Sequence, residues 1–171
     1  MSNDLYQASV PQFLRMLGNL KAILEKAAAH AAAKKIDESA LLNARLYPDM
    51  FPLTQQVQIA SDFARGTTAR LSGSEPPAVE DKETSFAELI ARVDTAIAYV
   101  RGLPAAKFEG AQDRKVVRKI RGTERTFSGT DYLYQFALPN FYFHLTTTYA
   151  ILRHNGVELG KADYLGKLSF R

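Results

Sequence analysis

Apolar side chains at Tyr6, Val10, Phe13, Leu17, Leu20, Leu24, Ala27 and Ala31 recur at alternating steps of four and three. That spacing keeps one stripe of a helix apolar, the seam of a helix laid along its neighbours. Pro11 falls inside the stripe and has no amide hydrogen, so the regular helix is expected to begin near it with Ser9 as cap, or to kink there. A second seam runs through Leu53, Val57, Ala60, Ala64, Thr67 and Leu71. Gln56 and Phe63 flank this stripe and Asp62 lies nearer its edge, which makes Gln56 the polar side chain expected to face inward. Pro48 and Pro52 predict an irregular connection over residues 42–52, and Ser72-Gly73-Ser74-Glu75-Pro76-Pro77 stops the second helix.

The third seam is Leu89, Val93, Ala96 and Val100, opened by Ser85-Phe86-Ala87-Glu88, which has the form of a capping box. After Gly102 and Pro104 the pattern changes. Residues 115–127 are rich in charge and β-branched side chains around Gly122, and they predict a short hairpin or extended excursion. A fourth helix is predicted from about Thr130-Asp131 to Asn155-Gly156, with Pro139 kinking it or dividing a short helix from the main one. The last residues, with Gly160, Tyr164, Gly166 and Phe170, read as a tail that packs locally. Four long amphipathic segments predict an all-α four-helix bundle with a short excursion between the third and fourth helices, in one domain over residues 1–171.

Composition narrows the chemistry. The 171 residues include 46% hydrophobic side chains, enough for one substantial core. With no cysteine, thiolate catalysis, disulfides and Cys-based zinc sites are excluded. No apolar stretch is long enough to span a bilayer and Met1-Ser2-Asn3-Asp4 does not open a signal peptide, so a soluble cytoplasmic protein is expected. The net charge of +4 decides no function by itself. Phosphate-loop, dinucleotide-fingerprint, nucleophile-elbow and His-Glu-x-x-His patterns do not occur.

The fourth helix carries the candidate chemistry. His144 lies among aromatics, and Asn140, four residues earlier, shares its face. A buried imidazole needs a partner, and Gln56, Asp62 and Asn140 are the polar side chains at or beside the stripes that could join it in a pocket. Amides are weak metal ligands but good hydrogen-bond partners for a neutral imidazole, so this set fits a metal-free polar pocket better than a metal centre. His154 stands ten residues beyond His144, roughly 15 Å along the axis and about 80° around it, so the two cannot share an ion. His30, beside Lys34 and Lys35, reads as a surface residue. Arg114, Lys115, Arg118, Lys119, Arg121 and Arg125 could contact phosphate, but they lack interleaved aromatics and read as a solvated hairpin rather than a nucleic-acid surface. Phe141, Tyr142, Phe143 and Tyr149 read as mostly core, with Tyr132, Tyr134 and Phe136 covering the bundle end or forming a dimer contact.

Arg45-Leu46-Tyr47-Pro48-Asp49-Met50-Phe51-Pro52-Leu53 leading into Gln56-Val57, then Asp62-Phe63-Ala64, then Pro139-Asn140-Phe141-Tyr142-Phe143-His144 and Leu152-Arg153-His154-Asn155-Gly156-Val157, resemble a family of uncharacterised bacterial proteins. That family is a branch of the DinB/YfiT-like superfamily, and the resemblance covers almost the whole chain. It implies an up-down-down-up four-helix bundle, often a homodimer. Metal-binding members hold a divalent ion with three histidines from two helices, and some are thiol-dependent transferases or isomerases. Aligned on Leu152-Arg153, the second histidine of their C-terminal His-x-x-x-His falls on His144 and the first on Asn140. The remaining ligand would lie between Gln56 and Asp62, where this chain has no histidine. The resemblance therefore implies a degenerate metal site. The leading expectation is a DinB-like bundle with a small polar pocket around Gln56, Asn140 and His144, taking a small polar ligand. A metal-dependent transferase or hydrolase using His144, with Asp62 filling the site, is the enzyme alternative. An interaction protein holding an acidic partner through the basic excursion is the third.

Overall fold

The computed structural model describes residues 4–168; Phe170, expected in the packed tail, lies outside them. The chain is mostly helical with one small hairpin. Helix α1 (Asp4–Lys34) is followed by α2 (Glu38–Leu42), α3 (Leu53–Leu71) and α4 (Phe86–Arg101). A 3-10 turn (Ala105–Phe108) leads to strands β1 (Val116–Ile120) and β2 (Thr123–Phe127). The chain then runs through α5 (Gly129–Asp131), a π-helical segment (Tyr132–Ala137), α6 (Leu138–His154) and α7 (Lys161–Leu165). Among the described residues three short helices thus accompany the four long ones, more than the plain bundle read from the sequence.

The seams form the core as expected. Phe13, Leu17, Leu20, Leu24 and Ala27 from α1, every seam residue of α3, and Leu89, Val93, Ala96 and Val100 from α4 are fully buried. All of these but the polar Thr67 join Phe141, Ile151 and Leu152 of α6 in one apolar cluster. Helix α1 packs chiefly on α4, and α3 packs on α6 and α4. The two largest interfaces, α1 with α4 and α3 with α6, join helices that are not neighbours in sequence, while α3 and α4 are neighbours joined by the long 72–85 connection. The rings of Phe13 and Phe141 meet edge to face at 4.8 Å and tie α1 to α6.

Three boundaries differ from expectation. Helix α1 runs through Pro11 without starting there. Pro11 and Gln7 are exposed, so the carbonyl that loses its helical partner faces water, while buried Leu5, Ser9, Val10 and Phe13 hold the helix to the core. Ser9 is no cap; its hydroxyl bonds back to the Leu5 carbonyl. At α4 the Ser85 hydroxyl accepts the Glu88 amide at 3.2 Å as a capping box requires. The Glu88 carboxylate takes the Thr84 amide at 2.6 Å, and the amide of Phe86 is capped from α2 by Glu38 at 2.8 Å. Pro139 sits in the first turn of α6, just after the π-helical segment. The wider turn removes the α-helical i−4 carbonyl with which a mid-helix proline ring clashes, so the chain keeps its helical path from Gly129 to His154.

The excursion is an antiparallel hairpin in which Arg118 pairs with Arg125 and Lys119 with Glu124. Its two-residue turn has Arg121 at φ 49° and Gly122 at φ 81°, the doubly left-handed turn that matches strand twist. The tail packs locally over its described part. Arg15 and Asn19 of α1 donate to the carbonyls of Leu165 and Tyr164, each at 2.9 Å, and Lys26 pairs with Asp163 at 2.6 Å. No described helix is long and apolar enough to cross a membrane.

Candidate functional site

Helices α3 and α6 bring Gln56 and His144 together. Gln56 is 1% exposed and His144 8%. Nδ1 of His144 lies 2.7 Å from Oε1 of Gln56, while Nε2 of Gln56 donates to the Phe51 carbonyl at 3.1 Å. The second bond fixes the amide's orientation, so its oxygen faces the imidazole and Nδ1 carries the ring proton. Nε2 of His144 is then left as a lone pair. Burial pushes the His144 pKa below its ordinary 6.5, which favours this neutral form. Phe63 stacks on the imidazole with centroids 6.1 Å apart, and Phe143 meets it edge-on at 5.2 Å.

The other two sequence candidates do not join them. Asn140 is half-buried and its amide donates to the Phe136 carbonyl at 2.7 Å, one turn back along its own helical path. Asp62 is exposed and engaged elsewhere, bridging Arg65 and Nη2 of Arg92, the latter at 2.8 Å. Phe143, read as core, is 55% exposed, whereas Phe141 is fully buried and Tyr142 and Tyr149 are half-buried. Tyr134 is exposed, but Tyr132 is buried and stacks with Phe136 at 6.0 Å. The π-helical segment turns Phe136 toward both Phe63 and Phe127 and Tyr132 toward Phe127, making an aromatic bridge from the hairpin to His144.

A deprotonated Nε2 backed by an accepted Nδ1–H is how histidine presents itself to a metal. A metal needs companions, however, and among the described residues no three His, Cys, Asp or Glu side chains stand close enough to hold an ion. Gln56 uses its oxygen on the imidazole, and Asn140 turns its amide to the backbone. The donor set does not fit the three-histidine metal centre expected from the resemblance.

Sequence reasoning passed over a second feature. A cavity of about 470 Å³ lies between α3, the 72–85 connection, β1 and the π-helical segment. Its polar lining is Asp62, Arg65, Arg70, Arg118 and Tyr132, and its apolar walls include Phe63, Pro77 and Val79. The basic run is therefore not simply a solvated face. Arg114 caps the end of α3 by donating to the Leu71 carbonyl, and Arg118 turns toward the helices. The signal was in the strand alternation. Val116, Arg118 and Ile120 are the more buried positions of β1, so an arginine stands where period two calls for an apolar residue.

Residues 5–165 match the family described as "Domain of unknown function (DUF1993)". A crystal structure of a DinB family member protein from Shewanella denitrificans is similar at 44% sequence identity, with a TM-score of 0.91, covering 98% of this chain and 94% of that one. No curated protein matches.

Proposed function

This chain belongs to the DUF1993 family and is DinB-like, and from that premise we propose that it binds a small polar ligand at a site where the DinB metal position has become metal-free. The observation that carries the reading is the 2.7 Å contact between His144 and Gln56, with the Gln56 amide nitrogen committed to Phe51. It leaves a neutral imidazole whose Nε2 can accept a hydrogen bond from a ligand hydroxyl or amine. The metal-dependent transferase or hydrolase reading needs ligands that Asn140 and Asp62 do not bring to His144. The same proposal takes α1, α3, α4 and α6 as the four helices of a DinB-type bundle. It takes the protein as cytoplasmic and as a homodimer, the dimer supported by exposed Leu46, Tyr47, Phe51 and Phe143 and tested by native mass.

Elemental analysis of untagged protein prepared without chelator, with a thermal-shift screen of small polar compounds on wild type and His144→Ala, tests the site. The expected result is metal-free folded protein and at least one compound that raises Tm in wild type only. Stoichiometric metal that His144→Ala loses, or a screen in which every stabilising compound acts equally on both proteins, would sink the reading.

A further inference from the structure

The cavity beside Phe63 holds more positive charge than the protein neutralises. Arg65 is spoken for, since it pairs with Asp62 and donates to the Pro77 carbonyl at 3.2 Å, and Asp62 is shared with Arg92. Arg70 donates to the Gly66 carbonyl at 2.8 Å and approaches the Tyr132 hydroxyl at 3.4 Å, but has no carboxylate partner among the described residues. The Arg118 side chain has no ion-pair partner among the described residues, and its Nε is buried without a hydrogen-bond partner there. Burial and the neighbouring Arg70 together hold the Arg118 guanidinium below its ordinary pKa, although arginine stays charged at neutral pH. Across the hairpin Arg118 stands directly opposite Arg125, a like-charge pair that costs stability unless an anion intervenes. A second hollow shares Arg70 and Arg118 with this cavity and is lined also by Arg114 and Lys115, with Glu75 its one acidic side chain.

Two guanidiniums that line one partly desolvated cavity without a carboxylate partner among the described residues are complemented by two negative charges on one small ligand. We propose that this cavity is a binding site for a small dianion, with Arg70 and Arg118 holding its charged oxygens and the Tyr132 hydroxyl donating to it. Phe63, Pro77 and Val79 enclose the carbon skeleton. A phosphate monoester and a dicarboxylate share this chemistry. The cavity volume lies in the ordinary range for small-molecule sites. The inference does not rest on the His144 reading, since Phe63 is the sole side chain common to both sites.

The test is titration of ¹⁵N-labelled full-length protein with inorganic phosphate and, separately, succinate, each at constant ionic strength, with affinities from calorimetry. Arg118→Gln and Arg70→Gln remove the proposed contacts one at a time. Lys119→Gln removes the same charge from the exposed position next to Arg118. Saturable binding of either dianion is expected, with amide shifts at Gly66, Arg118 and Tyr132. A tenfold or greater rise in Kd is expected in both arginine variants, with Lys119→Gln unchanged. Tighter phosphate assigns the phosphate monoester and tighter succinate the dicarboxylate. Wild-type shift mapping keeps the test decisive even if one arginine variant misfolds. No saturable binding of either dianion, shifts confined to other surfaces, or equal weakening in Lys119→Gln would overturn the proposal.

Discussion

At the residue scale His144 makes the fold sensitive to mild acid. Burial lowers its pKa in the folded protein below the 6.5 it has when unfolded. Between those two values the unfolded chain binds more protons, so stability falls as pH drops there. Above about pH 6.5 the imidazole is neutral in both states and contributes no slope. Urea denaturation between pH 5 and 8 is expected to show this loss in wild type and a flatter profile in His144→Ala; identical profiles would contradict it. Gln56 has a separate prediction. Gln56→Leu leaves the Nδ1–H and the Phe51 carbonyl without their partner, at a cost of about 1–3 kcal/mol, read as a lower urea midpoint with unchanged m value.

At the element scale, close approach and turn geometry decide two substitutions. The chain enters α5 at Gly129, where an added Cβ would lie 1.8 Å from the Ala111 carbonyl oxygen, a backbone atom that cannot swing aside. Gly129→Ala is expected to cost about 1–3 kcal/mol and to move the 3-10 turn away from the helical path, visible as amide shifts between residues 105 and 112. The hairpin turn offers the opposite sign. Arg121 holds a left-handed conformation that asparagine adopts more readily, so Arg121→Asn should raise Tm slightly; a fall would show that the arginine side chain contributes more than its backbone costs. The three apolar seams were legible because each keeps its step of four and three, the hairpin because charged and β-branched residues flank a central glycine, and the inward Gln56 followed from the α3 stripe. The run through Pro11 was not legible, because an exposed proline and a buried one look alike in sequence. The π-helical segment was hidden for a related reason: Pro139 announces a disturbed ladder without saying whether the helix bends, breaks or widens. Asn140 shares a helix face with His144, but its local bond to the backbone competes with a tertiary one, a choice that spacing does not reveal.

At the scale of the whole molecule, the connection over residues 72–85 has no regular secondary structure yet forms a wall of the arginine-lined cavity. Arg92 of α4 holds it there. Its side chain is 2% exposed and reaches Asp62 on α3 at 2.8 Å, Asp81 at 2.8 Å, Glu83 at 2.9 Å and the Glu80 carbonyl at 3.1 Å. Burial raises the Glu83 pKa, but hydrogen bonds from Arg92 and Gln58 outweigh it and hold the carboxyl below its ordinary 4.5. This group therefore contributes stability that is present above about pH 4.5 and lost as pH falls through its depressed folded value. Asp62 and Asp81 can turn to water when the guanidinium is removed, whereas Glu83, with a side chain 9% exposed, keeps only neutral donors, Gln58 and its own backbone amide. Arg92→Ala is accordingly expected to cost about 3 kcal/mol. It should also weaken the acid-dependent loss of stability and speed limited proteolysis within residues 75–83, while the seams keep the helical circular dichroism intact. Cleavage at the wild-type rate would mean that the Arg65 bond to Pro77 is enough to hold the wall, and would transfer the organising role from α4 to α3.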